Sequence, residues 1–163
     1  MRHAFHKTNL LGGILMSLAI SLAAVAALNS VERKATHEAQ AVAKETAERV
    51  RKTCGNSKLE FQFDWFAFKD LDYTRGRMTR PEAMKMAGSR ANRIGNAVIA
   101  LCAESPKLKE SLSHLTTIRL APHDEAANFR IDVSRQDETL QAQFGAFGEV
   151  VTQDLIGDIR KQF

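Results

Sequence analysis

Two cysteines, three prolines, one tryptophan and one tyrosine are all that this 163-residue chain holds of those types. Two thiols with no neighbouring histidine or second cysteine make a poor zinc site. Without a Cys-x-x-Cys pair there is also no spacing that lowers a thiol pKa for redox work. No low-complexity tract or Pro/Gly-rich linker interrupts the composition, so nothing marks an internal boundary. The length suits one hydrophobic core and is too short for two domains of ordinary size. Gly-x-Ser-x-Gly, a phosphate-binding glycine loop and a Ser-x-x-Lys at a pocket are all missing, which removes the common nucleophile and nucleotide patterns. His37, His114 and His123 lie far apart with no His-x-x-x-His or carboxylate pattern, and surface positions account for them better than a metal site. Neither a metal nor a cofactor is expected, and the balance leans away from catalysis.

Acid is absent from the first 30 residues. Met1 to Asn9 carries Arg2, Lys7 and two histidines, and Leu10 to Leu28 is uninterrupted by charge. A basic start, an apolar centre and small residues at Ala24, Ala26 and Ala27 read as an exported signal peptide, residues 1–27. The alternative is an uncleaved membrane anchor, since the uncharged run is just long enough for a bilayer core of about 30 Å. No cysteine follows the run closely, which argues against lipoprotein processing. Either way the remaining chain faces an extracytoplasmic space, periplasmic or secreted, or tethered to the inner membrane and facing the periplasm. Without Arg2 and Lys7 the 23 basic residues fall to 21 against 19 acidic ones, a net charge of +2. That is too mild to imply nucleic acid.

In an oxidising space an even pair of cysteines is read as a bridge, Cys54–Cys102. The order of elements supports it. Residues 28–53 form an N-terminal helix or stalk, with Glu32 to Lys52 rich in Ala, Glu, Lys and Arg; Ala35, Ala39, Val42, Thr46 and Val50 give it a narrow face of small side chains, placing it at the domain's edge. Gly55 and Asn56 stop it. From Leu59 to Trp65 apolar and polar residues alternate as in a half-buried strand, and Phe61, Phe63, Trp65, Phe66 and Phe68 concentrate five of the eleven aromatics there. The phase slips after Trp65, where a bulge or the strand's end is expected. Thr79-x-x-Glu82 with Pro81 opens a second helix, whose stripe runs through Met84, Ala87, Ala91, Ile94, Val98 and Leu101 and ends before Pro106. With helix, strand and helix running up, down and up, both cysteines lie at one end of the two helices.

Strands are expected over Leu115 to Ala121, Asn128 to Ser134 and Thr139 to Phe144, with a last helix facing inward through Phe147, Val151, Leu155 and Ile159. Lys107 to Ser113 adds a short helical turn. The sequence thus predicts an α+β domain over 54–163, order α-β-α-β-β-β-α, with a four-stranded antiparallel sheet and the helices on one face. Phe63-Asp64-Trp65, Ala100-Leu101-Cys102 and the closing meander and helix resemble a group of small exported bacterial proteins of unknown function. The resemblance spans roughly Cys54 to Phe163 and implies no activity.

Three features compete as functional signals. Asp64, between Phe63 and Trp65, is a carboxylate against an aromatic wall, yet with no second acid at reach a strand or turn role fits it better. The aromatic stretch itself, Trp65, Phe66 and Phe68, offers the wall of a pocket. Lys69, Arg75, Arg77, Arg80, Lys85, Arg90 and Arg93 crowd 25 residues that hold only Asp70, Asp72 and Glu82, a patch for an anionic partner or a solvated basic face. The function expected is that of an exported, non-catalytic binding protein, one concrete form of which is an immunity or inhibitor protein. The alternatives are a binder of an anionic small ligand or lipid, and an enzyme of unrecognised type.

Overall fold

Asn29 starts the first helix by a reciprocal cap: its side chain accepts from the Glu32 amide while Glu32 accepts from the Asn29 amide, each at 2.9 Å. This helix, α1 (Ser30–Cys54), ends at Gly55, whose left-handed backbone (φ +72°) suits glycine. The structure is a computed structural model that describes residues 28–75, 78–123, 130–145 and 153–163, without the side chain of Arg75. After α1 come β1 (Glu60–Phe63), two 3-10 turns (Ala67–Lys69 and Tyr73–Arg75) and α2 (Arg80–Glu104). Then follow α3 (Pro106–Ser113), β2 (Thr117–His123), β3 (Ile131–Gln136), β4 (Thr139–Gly145) and α4 (Leu155–Arg160). Residues 1–27, expected to be a signal peptide or an uncleaved anchor, Arg77, the start of the strand expected from Asn128, and the inward positions assigned to Phe147 and Val151 lie outside the described residues. None of the described helices is long and apolar enough to cross a membrane.

The α+β class holds, but the predicted antiparallel meander does not. The sheet order is β1-β2-β4-β3, with β1 parallel to β2, β2 parallel to β4 and only β3 antiparallel to β4. The burial of the side chains explains the exchange. Ile118 and Leu120 of β2 and Leu140, Ala142 and Phe144 of β4 are all 2 % exposed or less, so these two strands take the centre. β3 is exposed at Asp132, Ser134, Arg135 and Gln136 and takes an edge. Seven residues separate His123 from Ile131, more than a tight hairpin of 2–5 residues uses, so adjacency of β2 and β3 is not enforced by the connection. The β3–β4 hairpin is kept, its two-residue turn carried by Asp137 at φ +53° and Glu138. Lys107 to Ser113 is not a lone turn but a capped helix, with Ser105 accepting from the Leu108 amide at 3.1 Å. The element order is therefore α-β-α-α-β-β-β-α.

One parity of the sheet faces the helices and holds Phe61, Phe63, Ile118, Leu120, Ile131, Val133, Leu140, Ala142 and Phe144, all part of one core with α1 and α2 or packed against it. The other parity is polar, with Glu60, Gln62, Arg119, Asp132, Ser134 and Gln143 exposed. The aromatic stretch runs from the sheet inward. Its phase slip is the end of β1: the chain turns at Trp65, so Trp65 stacks on Phe63 (centroids 4.7 Å apart) and reaches Phe68 at 5.5 Å, which in turn meets Phe144 at 6.2 Å.

The helices α1 and α2 run parallel and side by side. Their paired positions, Glu32–Arg80, Glu38–Lys85, Ala39–Gly88, Thr46–Gly95 and Cys54–Cys102, differ by 48, 47, 49, 49 and 48 residues. A near-constant difference holds only for parallel elements in register over the whole length, roughly 37 Å for 25 residues. Small side chains make the approach close. A Cβ at Gly88 would sit 2.9 Å from the Ala39 Cα, and one at Gly95 would collide with the Thr46 methyl group. The buried face of α1 accordingly runs through Ala35, Ala39, Ala43, Ala47 and Val50, while Val42, expected inside, is 40 % exposed. The Cys54–Cys102 disulfide closes the C-terminal end of the pair, its Cα atoms 5.4 Å apart. Beside it, buried Asn56 accepts from the Lys58 and Leu59 amides and donates to the Leu115 carbonyl, tying the turn after α1 to the entry of β2.

Candidate functional site on the outer face of the helix pair

The basic cluster of the sequence is dispersed by the fold. Lys69 lies over the Phe66 ring, 5.3 Å from its centroid. Arg80 forms an ion pair with Glu32, whose carboxylate is 3 % exposed, and Lys85 pairs with Glu38 at 2.9 Å. That exposed pair holds the Glu38 carboxyl below its usual range and the Lys85 ammonium above its own, through the hydrogen bond first and charge second. Arg90 is 2 % exposed, so it belongs to the interior and not to a surface patch. Arg93 is exposed and lines a separate hollow of about 320 Å³ with Asn96, Gln153 and Ile156. Lys69 and Arg80 remain neighbours, in a cleft of about 620 Å³ with Glu32, Tyr73 and Thr79. Tyr73 donates to the Phe68 carbonyl at 2.6 Å, and burial, reinforced by Glu32 and opposed by Arg80, pushes its phenol up to about 12.

The proposed pocket wall is core. Trp65 and Phe68 are 4 % and 0 % exposed and are covered by each other, Phe63 and Phe144; only Phe66, at 41 %, faces outward. Asp64 caps the turn that follows β1, accepting from the Ala67 amide at 3.2 Å, and lies 3.5 Å from the Arg119 guanidinium. Among the described residues no three His, Cys, Asp or Glu side chains converge as metal ligands. The remaining resolved shifts also belong to structural contacts: Glu82 is lowered by its capping bonds to Thr79, and Asp158 by hydrogen bonds from Gln153 and Lys161.

A different feature faces outward. Between α1 and α2, on the side away from the sheet, lies an open groove of about 710 Å³ with Val42, Met78 and Met86 in its apolar part and Glu38, Glu82, Lys85, Ser89 and Asn92 around them. That volume lies in the range of small-molecule and side-chain sites. Its floor follows from the close helix contact: the position of a Cβ on Gly88 would lie 3.3 Å from the Val42 Cβ. The absence of a side chain at 88 lets Val42 of one helix and Met86 of the other flank a depression. Methionine suits such a surface because its unbranched, polarizable chain adapts to what it meets.

The alternating small residues of α1 were legible, but the groove was not. Two signals pointed to it. Gly88 and Gly95 stand seven residues apart inside an unbroken helix, where each costs about 1 kcal/mol relative to alanine and so marks a close approach. Val31 and Val42, eleven residues apart and 61 % and 40 % exposed, fall on one side of α1. Searches of protein-family models, curated proteins and solved structures find no match to this chain.

Proposed function

We propose that this protein is an exported, non-catalytic binding protein of the bacterial envelope, and that it recognises a partner through the outer groove between α1 and α2. The groove carries the reading: an apolar depression flanked by Val42 and Met86, rimmed by charges of both signs, on the long exposed side of a stapled helix pair. It suits an apolar side chain of a partner protein set among polar neighbours, as an immunity or inhibitor protein would require. The disulfide is consistent with an oxidising compartment. Support for binding over chemistry comes from the titratable groups, whose resolved shifts trace to caps, ion pairs and one half-buried phenol.

The second reading, an anionic ligand, finds support in the cleft at the N-terminal ends of both helices, where Lys69, Tyr73 and Arg80 meet. Glu32 offsets much of that attraction, because its carboxylate is buried in the same cleft and already pairs with Arg80. Affinity capture from a solubilised envelope fraction separates the two. The groove reading expects capture to be lost in Val42→Asp and Met86→Asp and kept in Lys69→Glu. The opposite pattern favours the cleft, and capture indifferent to all three substitutions removes both.

A further inference from the structure

The two edges of the sheet are finished differently, and the difference identifies a second interaction surface. On β3 the outward-facing backbone of Ile131 is sealed by one side chain: Gln153 accepts from the Ile131 amide at 2.8 Å and donates to its carbonyl at 2.5 Å. Four residues further along that edge, at Arg135, the guanidinium lies 4.3 Å from the Phe163 ring centroid and donates to the Asp137 carbonyl. On β1 the corresponding seal stops early. Arg51 donates to the Leu59 carbonyl at 2.7 Å, just before the strand. Within the strand, Glu60 donates to Thr116 and Asp64 to Leu120, both on the β2 side. The parallel ladder therefore turns the even-numbered residues toward β2 and leaves the amides and carbonyls of Phe61 and Phe63 facing outward. Their side chains are half-buried at the flank of the core.

We propose that β1 receives an extended peptide segment of a partner protein as a fifth strand, and that this segment alternates apolar and basic residues. The backbone dictates the extended form, since four outward groups at the spacing of Phe61 and Phe63 are matched by a strand. The core side dictates apolar residues beside Phe61 and Phe63, whose exposed flanks they would cover. The polar side favours basic residues, because the carboxylates of Glu60 and Asp64 stand on either side of Gln62, which donates to Glu60 at 2.5 Å, while the Arg119 guanidinium lies 3.5 Å from Asp64. The same charges disfavour a second copy of this chain. Antiparallel pairing of two β1 strands about Gln62 would set Glu60 of each against Asp64 of the other, and like charges directly opposite are destabilising. This surface is independent of the helix groove, which lies on the far side of the helices.

The test uses the oxidised, processed protein and a hexapeptide of alternating lysine and valine. Backbone amide spectra should show the Phe61 and Phe63 resonances shifting on titration, with their hydrogen exchange slowed at least tenfold at saturation. An alternating glutamate and valine hexapeptide should bind at least tenfold more weakly. N-methylation of the lysine–valine peptide on the edge that faces β1 should abolish binding, and N-methylation on the opposite edge should leave it intact. Shifts confined to the groove residues, equal binding of both N-methylated peptides, or equal binding of the lysine and glutamate peptides would overturn the proposal.

Discussion

Replacing Gly88 by alanine tests the parallel helix contact at its tightest point. In an isolated helix this change is favourable by about 1 kcal/mol, because alanine gives up less backbone freedom than glycine. Here the added methyl carbon would lie 2.9 Å from the Ala39 Cα and 3.2 Å from the Ala39 carbonyl oxygen. Both are backbone atoms of α1, so no rotamer change relieves them; carbon atoms prefer separations of about 3.5–4.0 Å, and the two helices must part by roughly 0.7 Å or more. The disulfide at the far end resists that movement, and Ala35, Ala39 and Ala43 offer no flexible side chains to absorb it. Overpacking of this kind costs typically 1–3 kcal/mol, occasionally more. Set against the propensity gain, the net expectation is a loss of about 1–2 kcal/mol, with Gly88→Leu beyond rescue. The assay is denaturant unfolding of the oxidised protein followed by the fluorescence of its single tryptophan, Trp65, which lies in the core. An exposed neighbour, Ser89→Ala, serves as the propensity control and should be neutral or slightly stabilising. If Gly88→Ala were as stable as the parent or more so, the close parallel packing of α1 on α2 would be refuted.

Three further expectations follow from named contacts. Replacing both Cys54 and Cys102 by alanine opens a loop whose ends are 48 residues apart; the entropic model puts the loss at about 4 kcal/mol, a large share of a total stability of order 5–15 kcal/mol, read as a drop in the denaturant midpoint. Tyr73 is the sole tyrosine, so tyrosinate absorbance reports it alone. Its phenol should titrate near 12 in the fold and near the ordinary 10.0 when unfolded. Because the folded value is the higher one, its stabilising contribution is intact below about pH 10 and is lost as pH rises toward 12; titration at the ordinary value in the folded protein would contradict its burial. Replacing Gln153 by alanine removes both bonds to the buried Ile131 backbone and should cost about 2 kcal/mol. It should also let the Asp158 pKa rise, since Gln153 is the first cause of its depression. With a depressed folded value, the Asp158 contribution is present above the ordinary carboxylate range and disappears as pH falls through the folded pKa, so the gap between the parent and Gln153→Ala should narrow in acid to the part that the Ile131 bonds supply.

Much of the fold was readable because it rests on local chemistry. The Thr79 and Glu82 capping box, the stop at Gly55, the end of β1 at the Trp65 phase slip and the pairing of Cys54 with Cys102 each follow from a few adjacent residues or from a simple count of element directions. Strand neighbours were not readable in the same way. Alternation fixes which face of a strand is buried, but whether β2 lies beside β3 or β4 depends on how completely each is buried, and the difference between Leu140 and Arg135 emerges only in the assembled sheet. The surroundings of the basic residues were not readable for a related reason. Charge clustering along the sequence says nothing about burial, so Arg90 entered the interior while Arg80 and Lys85 went to partners on α1 that are 48 and 47 residues away. The groove, for its part, is made by two segments as distant, and glycines inside a helix are visible as exceptions before their partner helix is known.

Site-specific photo-crosslinking in cells addresses recognition through the outer groove most directly. A photoreactive residue at position 42 or 86 should give a discrete, illumination-dependent adduct with one partner, while the same residue at Gln143, on the polar face of the sheet, should give none. Adducts from Gln143 and none from positions 42 and 86 would place recognition elsewhere and contradict the proposed function.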